Sequence, residues 1–135
     1  MGMDRFAELG LFLDEFDMFK TQLSSLYKNL KTVTSLAIVS YEGFVLEHYP
    51  QAESQASIGR LNAMTPLIQQ MKTGFRVMGL GDVSSLSIEG PNQKLVCWPI
   101  NETYLLLAVV DVDEHDGRVS FELSTTAAEI VGFFH

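Results

Sequence analysis

The chain carries few residues of the types that do nucleophilic or acid–base chemistry, and their spacing keeps them apart. Its one cysteine is Cys97, and its three histidines are His48, His115 and His135. A cysteine and a histidine could form a thiol–imidazole pair, but these residues fall on different predicted elements. Cys97 stands in the middle of a predicted strand, where a cysteine packs as a small hydrophobic residue with an inert thiol.

Carboxylates gather at Asp111, Asp113, Glu114 and Asp116, and with Gly117 they resemble a calcium-binding loop. An EF-hand loop needs oxygen ligands at alternating positions and a glycine at the sixth. Counted from Asp111, the sixth residue is an aspartate. The pattern instead favours carboxylates placed at the start of a helix, where the helix dipole stabilises negative charge.

The segment Gly79-Leu80-Gly81 could pass for part of a phosphate-binding loop. Such a loop needs more glycines, a preceding strand and a following helix, whereas a strand follows here. We predict a connector. The sequence therefore predicts no catalytic, cofactor-binding or metal-binding residue, and a protein that is not an enzyme.

A chain of 135 residues, 47% of them apolar, is predicted to fold as one globular domain over residues 1–135, with residues 1–10 as an N-terminal extension that packs weakly or docks on a partner. Its net charge of −8 argues against binding nucleic acid or anionic lipid, which need clustered lysine and arginine. A lone cysteine gives no disulfide framework, and we find neither a signal peptide nor an apolar run long enough to span a bilayer. We expect a cytoplasmic protein without membrane insertion.

Three stretches have the apolar spacing of amphipathic helices, at 4–30, 53–72 and 117–134. Pro66 lies inside the second stretch, where it removes a backbone hydrogen bond and predicts a kink or a break. Gly74 is predicted to end this helix.

Five further stretches predict strands, at 33–41, 44–49, 82–89, 94–98 and 104–110. The first, fourth and fifth are apolar on both faces, which is typical of interior strands, and the other two are predicted to be edges. Because strands joined by a hairpin are usually neighbours, one strand order satisfies these constraints, namely 2-1-5-4-3. The sequence thus predicts an α/β (α+β) sandwich in which helices cover both faces of a five-stranded, mainly antiparallel sheet, in the order α-β-β-α-β-β-β-α.

The predicted edge strand 82–89 lacks the features that normally protect a sheet edge, which are lysines, prolines and bulges. Charge stands only at Asp82 and Glu89. We predict that this edge pairs with a second copy and that the preceding helix packs on its counterpart, the alternative being a loop or the N-terminus that covers the edge. The predicted dimer interface is Ile58, Leu61, Met64, Ile68, Met71, Ser85, Leu86, Ser87 and Ile88.

The order of elements and four stretches of sequence resemble the roadblock family, which includes dynein light chains and bacterial gliding-regulator domains. The stretches are SLAIVSYEGFVLEHY at 35–49, Leu61-Asn62-Ala63-Met64, SSLSIEG at 84–90 and LVCWPINETYLLLAVVD at 95–111. The resemblance covers about residues 14–132, nearly the whole domain. It implies a helix–sheet–helix sandwich with the strand order given above.

The resemblance also implies a homodimer or roadblock heterodimer joined through the second helix and third strand. It further implies a non-catalytic regulator or scaffold of a small Ras-like GTPase, with a GTPase-activating or effector role. We assign no residue to GTPase contact, because the family has no short motif for it.

Two other functions stay open. The chain could be an adaptor that tethers other subunits without a GTPase role, with residues 1–10 as the docking part. It could also be a small-ligand sensory domain, since Trp98, Phe75 and the methionines at 64, 71 and 78 could line a pocket, although such residues more often form a core or an interface.

Overall fold

The computed structural model describes residues 13–50 and 55–134, and for residues 13–16 and 55–62 it describes the backbone only. The described residues form three helices and five strands, in the predicted order. These are α1 (Leu13–Asn29), β1 (Ser35–Ser40), β2 (Val45–Tyr49), α2 (Gln55–Val77), β3 (Leu86–Glu89), β4 (Gln93–Pro99), β5 (Tyr104–Asp111) and α3 (Asp116–Val131).

The strands form one antiparallel sheet in the order β2-β1-β5-β4-β3, which confirms the predicted order. The central strand β5 pairs with β1 from Ser35↔Val109 to Ser40↔Tyr104. The β1–β2 hairpin turns at Gly43, whose φ of 97° is readily adopted only by glycine. The edge strand β3 lies against β4, with Leu86 opposite Cys97.

Side chains alternate between the two faces of the sheet, so each interior strand contributes to two apolar layers. In one layer Leu36, Leu106 and Val96 pack against α1 and α3, which contribute the buried Phe19 and Leu123. The second layer lies under α2, where Ile68 packs on a buried set of residues from the interior strands and the β1–β2 turn. That set comprises Ala37, Val39, Tyr41, Cys97, Leu105 and Leu107. The prediction that helices cover both faces is confirmed.

Helices α1 and α3 pack antiparallel on their face of the sheet, as two side-chain contacts show. The Asn29 amide donates to Glu122 at 3.3 Å, and the Gln22 amide donates to Glu129 at 3.2 Å. Arg118 adds a hydrogen bond from its guanidinium to the carbonyl of Asn29 at the end of α1. The part of the predicted first helix before residue 13 lies outside the described residues.

Helix α3 ends at Val131, three residues before the predicted end at Phe134. Phe133 and Phe134 turn back onto the core instead, with ring centroids 5.7 and 5.4 Å from that of Phe19. Burying two aromatic rings outweighs one more helical turn, because each ring removes a large apolar area from water.

The predicted boundaries of α2 need two corrections. Pro66 does not split it, since Gln55–Val77 is one helix, and Gly74 does not end it. Glycine costs a helix interior only about 1 kcal/mol relative to alanine, so it is a weak stop.

The end of α2 is set by Gly79, which has a φ of 78°. Its N–H donates to the carbonyl of Arg76, and the N–H of Leu80 donates to the carbonyl of Phe75. These two bonds make a Schellman motif, in which a left-handed glycine follows the last helical turn and an apolar contact closes it.

The third strand is also shorter than predicted, because β3 begins at Leu86 and residues 82–85 belong to the connector. At its other end the β3–β4 turn closes as predicted, with the N–H of Gly90 donating to the carbonyl of Gln93 at 2.8 Å. The edge strand thus pairs over four residues.

Candidate interaction site on helix α2 and strand β3

Helix α2 carries an apolar stripe that nothing in the described chain covers. Its inner stripe, with Thr65 and Ile68 buried, faces the sheet. Beside it Leu67, Met71 and Phe75 are exposed, with Met71 43% accessible to solvent. Contiguous exposed apolar surface on a folded domain marks an interaction site more often than chance placement.

The exposed stripe continues past the end of the helix into the connector. Val77 is 81% exposed, and Met78 and Leu80 are exposed as well. These residues follow one another around the Schellman turn, so the whole C-terminal end of α2 presents apolar side chains to solvent.

Between α2 and β3 lies an open groove of about 480 Å³. Its apolar lining is Ile68, Met71, Phe75, Leu80, Val83 and Leu86, and Asp82, Ser84 and Ser85 complete it. The groove therefore joins the uncovered stripe of the helix to the edge of the sheet.

The structure brings together part of the predicted interface. Ile68, Met71, Ser85 and Leu86 all line the groove, and Met64 packs against the layer under α2. Ser87 and Ile88 lie on β3, with Ser87 exposed and Ile88 half-buried. Ile58 and Leu61 lie on α2, but their side chains are outside the described part.

The predicted interface left out three apolar groove residues, namely Phe75, Leu80 and Val83. Of these the sequence analysis named only Phe75, as a residue that could line a ligand pocket. Phe75 continues the spacing of Ile68 and Met71 and could have been found, had the helix not been ended at Gly74. Leu80 and Val83 belong to a connector without periodicity, and the signal for Leu80 is its place one residue after the glycine of a Schellman turn.

The two edges of the sheet differ in their protection. On β3 the N–H of Gly90 points to β4, so by the alternation of an antiparallel ladder the N–H groups of Ser87 and Glu89 point outward. On β2 the N–H of His48 donates to the carboxylate of Glu47 at 3.2 Å, and the register of β1 and β2 shifts at a bulge. A capped N–H and a bulge both hinder strand addition, so β3 is the edge suited to pairing.

Charged side chains close one end of the groove. The Nε of Arg76 lies 2.6 Å from the Asp82 carboxylate, and a terminal nitrogen of its guanidinium lies 3.8 Å from the Glu102 carboxylate. The hydrogen bond that Arg76 donates to the Asp82 carboxylate raises the pKa of Arg76. This ion pair is exposed and contributes little to stability, but it ties the connector back to the helix.

Beneath this ion pair, Tyr41 lies under α2 with the ammonium of Lys72 3.9 Å from the centre of its ring, a cation–π contact. The hydroxyl of Tyr41 is buried and finds no hydrogen-bond partner among the described residues. Burial raises the pKa of Tyr41 to about 12, with the charge of Glu102 adding to the effect. Tyr41 therefore stays neutral at physiological pH.

The residues that the sequence offered for catalysis are held apart. Cys97 is buried on β4, and desolvation raises its thiol pKa to about 12, which leaves it unreactive as predicted. His48 lies on β2, separated from β4 by β1 and β5. His115 caps α3, its Nδ1 accepting the N–H of Arg118, and His135 lies outside the described residues.

Two of the carboxylates at 111–116, those of Glu114 and Asp116, make hydrogen bonds between elements of the fold. Glu114 accepts the N–H and the hydroxyl of Thr32 at 3.1 and 2.7 Å, and the hydroxyl bond is the main cause of its lowered pKa. Asp116, in the first turn of α3, accepts a hydrogen bond from Lys94, which lowers the pKa of Asp116. Within residues 13–50 and 55–134 no three His, Cys, Asp or Glu side chains are placed to hold a metal ion.

Comparison with solved structures defines the fold. An MglB in a tetrameric arrangement superposes with a TM-score of 0.81 at 16% identity, over 93% of this chain and 94% of that one. The fold is that of a roadblock domain. The MglB of Myxococcus xanthus gives 0.80 at 14% identity, over 90% of this chain and 91% of its own. A roadblock/LC7 domain from Streptomyces avermitilis gives 0.73 at 17% identity, over 82% and 92%.

No protein-family model matches this roadblock-fold chain, and no curated protein sequence does. The predicted resemblance is thus confirmed by the three-dimensional architecture, with sequence identities too low for sequence comparison to detect. In the described part of the chain no helix is long and apolar enough to cross a membrane.

Proposed function

We propose that this protein is a homodimeric, non-catalytic regulator or scaffold of a small Ras-like GTPase. The observation that carries the proposal is the groove between α2 and β3, with an uncovered apolar stripe on one side and an unpaired strand edge on the other. A second copy carries the same two features, so it would cover the apolar stripe of α2 and pair with the edge of β3 at the same time. The GTPase role is supported by the roadblock fold and by the similarity to gliding-protein MglB structures.

In the proposed dimer two β3 strands pair antiparallel across a two-fold axis, and the two sheets become one. The two α2 helices then lie side by side over the junction, burying Leu67, Met71 and Phe75. An isologous interface of this kind uses the same patch on both copies.

The dimer test is the solution mass of the wild type and of Leu86→Lys, measured by light scattering over a range of concentrations. Leu86 lies at the junction of groove and edge, so a lysine there places two charges against each other across the axis. We expect a dimeric wild type and a mass lowered by half in the variant. Asn92→Lys, in the exposed β3–β4 turn, adds the same charge away from the edge and should leave the dimer intact.

The GTPase role is tested by binding a purified Ras-like GTPase encoded beside this protein, loaded with GDP or with a non-hydrolysable GTP analogue. We expect one nucleotide state to bind more tightly and Leu86→Lys to weaken that binding. Equal failure of both states to bind the wild-type dimer would refute the GTPase role while leaving the dimer standing.

A small ligand is the competing occupant of the groove, because about 480 Å³ lies within the usual range of ligand pockets. A wild type that is monomeric at all concentrations, and that a small molecule stabilises in a thermal-shift screen, would favour the sensory function.

A further inference from the structure

A small chamber of about 10 Å³ adjoins the groove between α2 and β3. Ile68, Val83 and Leu86 line both the groove and the chamber, so the two spaces meet at these side chains. A space of this size holds about one water-sized group. The chamber can therefore receive a single oxygen atom of a molecule whose remainder lies in the groove.

The hydroxyl of Tyr41 is the polar group at this chamber. Tyr41 lines the chamber together with Cys97 and Leu105, and the residue is 8% exposed. In the part of the chain that the structure describes, the hydroxyl has no hydrogen-bond partner. After burial, Glu102 and Cys97 contribute to the raised pKa of Tyr41, which places the hydroxyl on the β4 side, at the chamber. A ligand that supplies an acceptor removes the cost of leaving this hydroxyl unpaired.

The surroundings of the chamber select a neutral acceptor. Tyr41 is protonated at physiological pH and can donate, and a carbonyl oxygen accepts without bringing a proton that needs an acceptor of its own. A carboxylate is too large for the chamber, and its charge would lose hydration beside the carboxylate of Glu102. A cation is disfavoured by the ammonium of Lys72, which lies 3.9 Å from the centre of the Tyr41 ring.

The groove supplies an apolar wall for the rest of such a ligand. Met71, Phe75 and Leu80 line it and are exposed. An alkyl chain that covers these side chains is stabilised in proportion to the apolar area removed from water. A second copy in the proposed dimer would cover Met71 and Phe75 as well, so ligand and second copy compete for the same side chains.

We propose that the groove and the chamber bind a neutral carbonyl compound with an alkyl chain, whose oxygen accepts a hydrogen bond from Tyr41, and that this ligand opposes dimerisation. The regulatory part rests on the proposed dimer, whereas the binding part does not. A ligand that binds only the monomer shifts the equilibrium towards the monomer by mass action.

Binding is tested with pentyl methyl ketone as the probe, by titration calorimetry on the wild type and on Tyr41→Phe, which keeps the ring and removes only the hydroxyl. We expect the ketone to bind the wild type, and Tyr41→Phe to bind it about fivefold more weakly, because one hydrogen bond is lost. Heptanoate has the same number of carbon atoms and a negative charge. It is the matched control, and it should bind both proteins equally weakly.

The stability of the unliganded proteins tests the unpaired hydroxyl by itself. Because Tyr41→Phe removes a buried polar group without a partner, its melting temperature should equal or exceed that of the wild type. A lower melting temperature would mean that the hydroxyl is already satisfied, and it would overturn the ligand site. Failure of the ketone to bind the wild type, or equal affinity for the two proteins, would overturn it too.

The regulatory part is tested by the solution mass of the wild type with and without the ketone, at a concentration where monomer and dimer coexist. We expect the ketone to lower the mass. A ketone that binds but leaves the mass unchanged would refute the regulation alone. A wild type that is monomeric throughout would refute the proposed dimer and its regulation together, while the calorimetry still decides the ligand site.

Discussion

Lys94 is a lysine in the protein interior, with 3% of its surface exposed. Its ammonium donates to the Asp116 carboxylate and to the carbonyl of Glu114 at 2.7 Å. It thereby joins β4 to the start of α3. A buried ammonium is tolerated only while such partners remain.

We predict that Asp116→Ala lowers the melting temperature by several degrees, because it leaves the buried ammonium of Lys94 without its carboxylate. Adding Lys94→Met to Asp116→Ala should recover most of the loss, since the unpaired charge is then gone. Thermal denaturation of the two single variants and the double variant measures this. A double variant less stable than Asp116→Ala would contradict the argument.

Glu114 gives the fold a dependence on pH. Its pKa is lowered in the folded protein, chiefly by the Thr32 hydroxyl, so its contribution is present above the unfolded pKa and is lost as pH falls through the folded one. Thr32→Val should cost about 1 kcal/mol near neutral pH, and this difference should shrink below about pH 4. Urea denaturation of both proteins at several pH values tests it, and a difference that grows at low pH would contradict the assignment.

At the scale of elements, two glycines near the end of α2 serve opposite roles. Gly74 lies within the helix and a Cβ there would meet nothing within 4 Å, whereas Gly79 has a φ of 78°. We predict that Gly74→Ala stabilises the fold and Gly79→Ala destabilises it, each by about 1 kcal/mol. Chemical denaturation of the two variants measures this. Each variant is the control for the other, because both add one methyl group at positions five residues apart.

The extent to which the elements could be predicted follows from the same chemistry. The strand order could be derived because the strands spanning Leu36 and Leu106 are apolar on both faces, and burial on both faces fixes their place in the sheet. The end of α2 could not be derived from the sequence, because Gly74 and Gly79 look alike there. Only the backbone conformation distinguishes a tolerated glycine from a required one. The start of β3 was misplaced because residues 82–85 contain no glycine or proline, so the sequence shows no break between the connector and the strand.

The predicted interface contains the groove residues Ile68, Met71, Ser85 and Leu86 but not Leu80 or Val83 of the connector. Periodicity identified Ile68 and Met71, and the unprotected edge identified Leu86. Leu80 and Val83 reach the groove through turn geometry, which has no repeating signature in the sequence.

At the scale of the whole molecule, the proposed dimer has a defined register. Centring the two β3 strands on Ser87 pairs the outward-facing groups of Ser85, Ser87 and Glu89 with one another. Centring on Ile88 instead sets Ser85 opposite Pro91, which has no N–H to donate. Centring on Glu89 sets two carboxylates opposite each other.

We therefore predict that Ser87→Cys forms an intermolecular disulfide under mild oxidation. Residues of a hydrogen-bonded antiparallel pair have Cα atoms about 5.5 Å apart, which suits a disulfide. Non-reducing electrophoresis measures the product, and the wild type is the control because its Cys97 is buried with a thiol pKa of about 12. A strong disulfide in Ile88→Cys but not in Ser87→Cys would show that the register is wrong.

The strand order also governs when the protein can fold. The strand at the centre of the sheet, β5, is the last to leave the ribosome, so until then the β1–β2 and β3–β4 hairpins have no strand to join them. Pairings between segments distant in sequence form slowly, because the loop must close before contacts compensate its entropy. A nascent chain therefore carries two separate hairpins and becomes a domain only once residues 104–111 insert between them. Subunit assembly through β3 must accordingly follow synthesis of residues 104–111, and a chain truncated before Tyr104 cannot form this sheet.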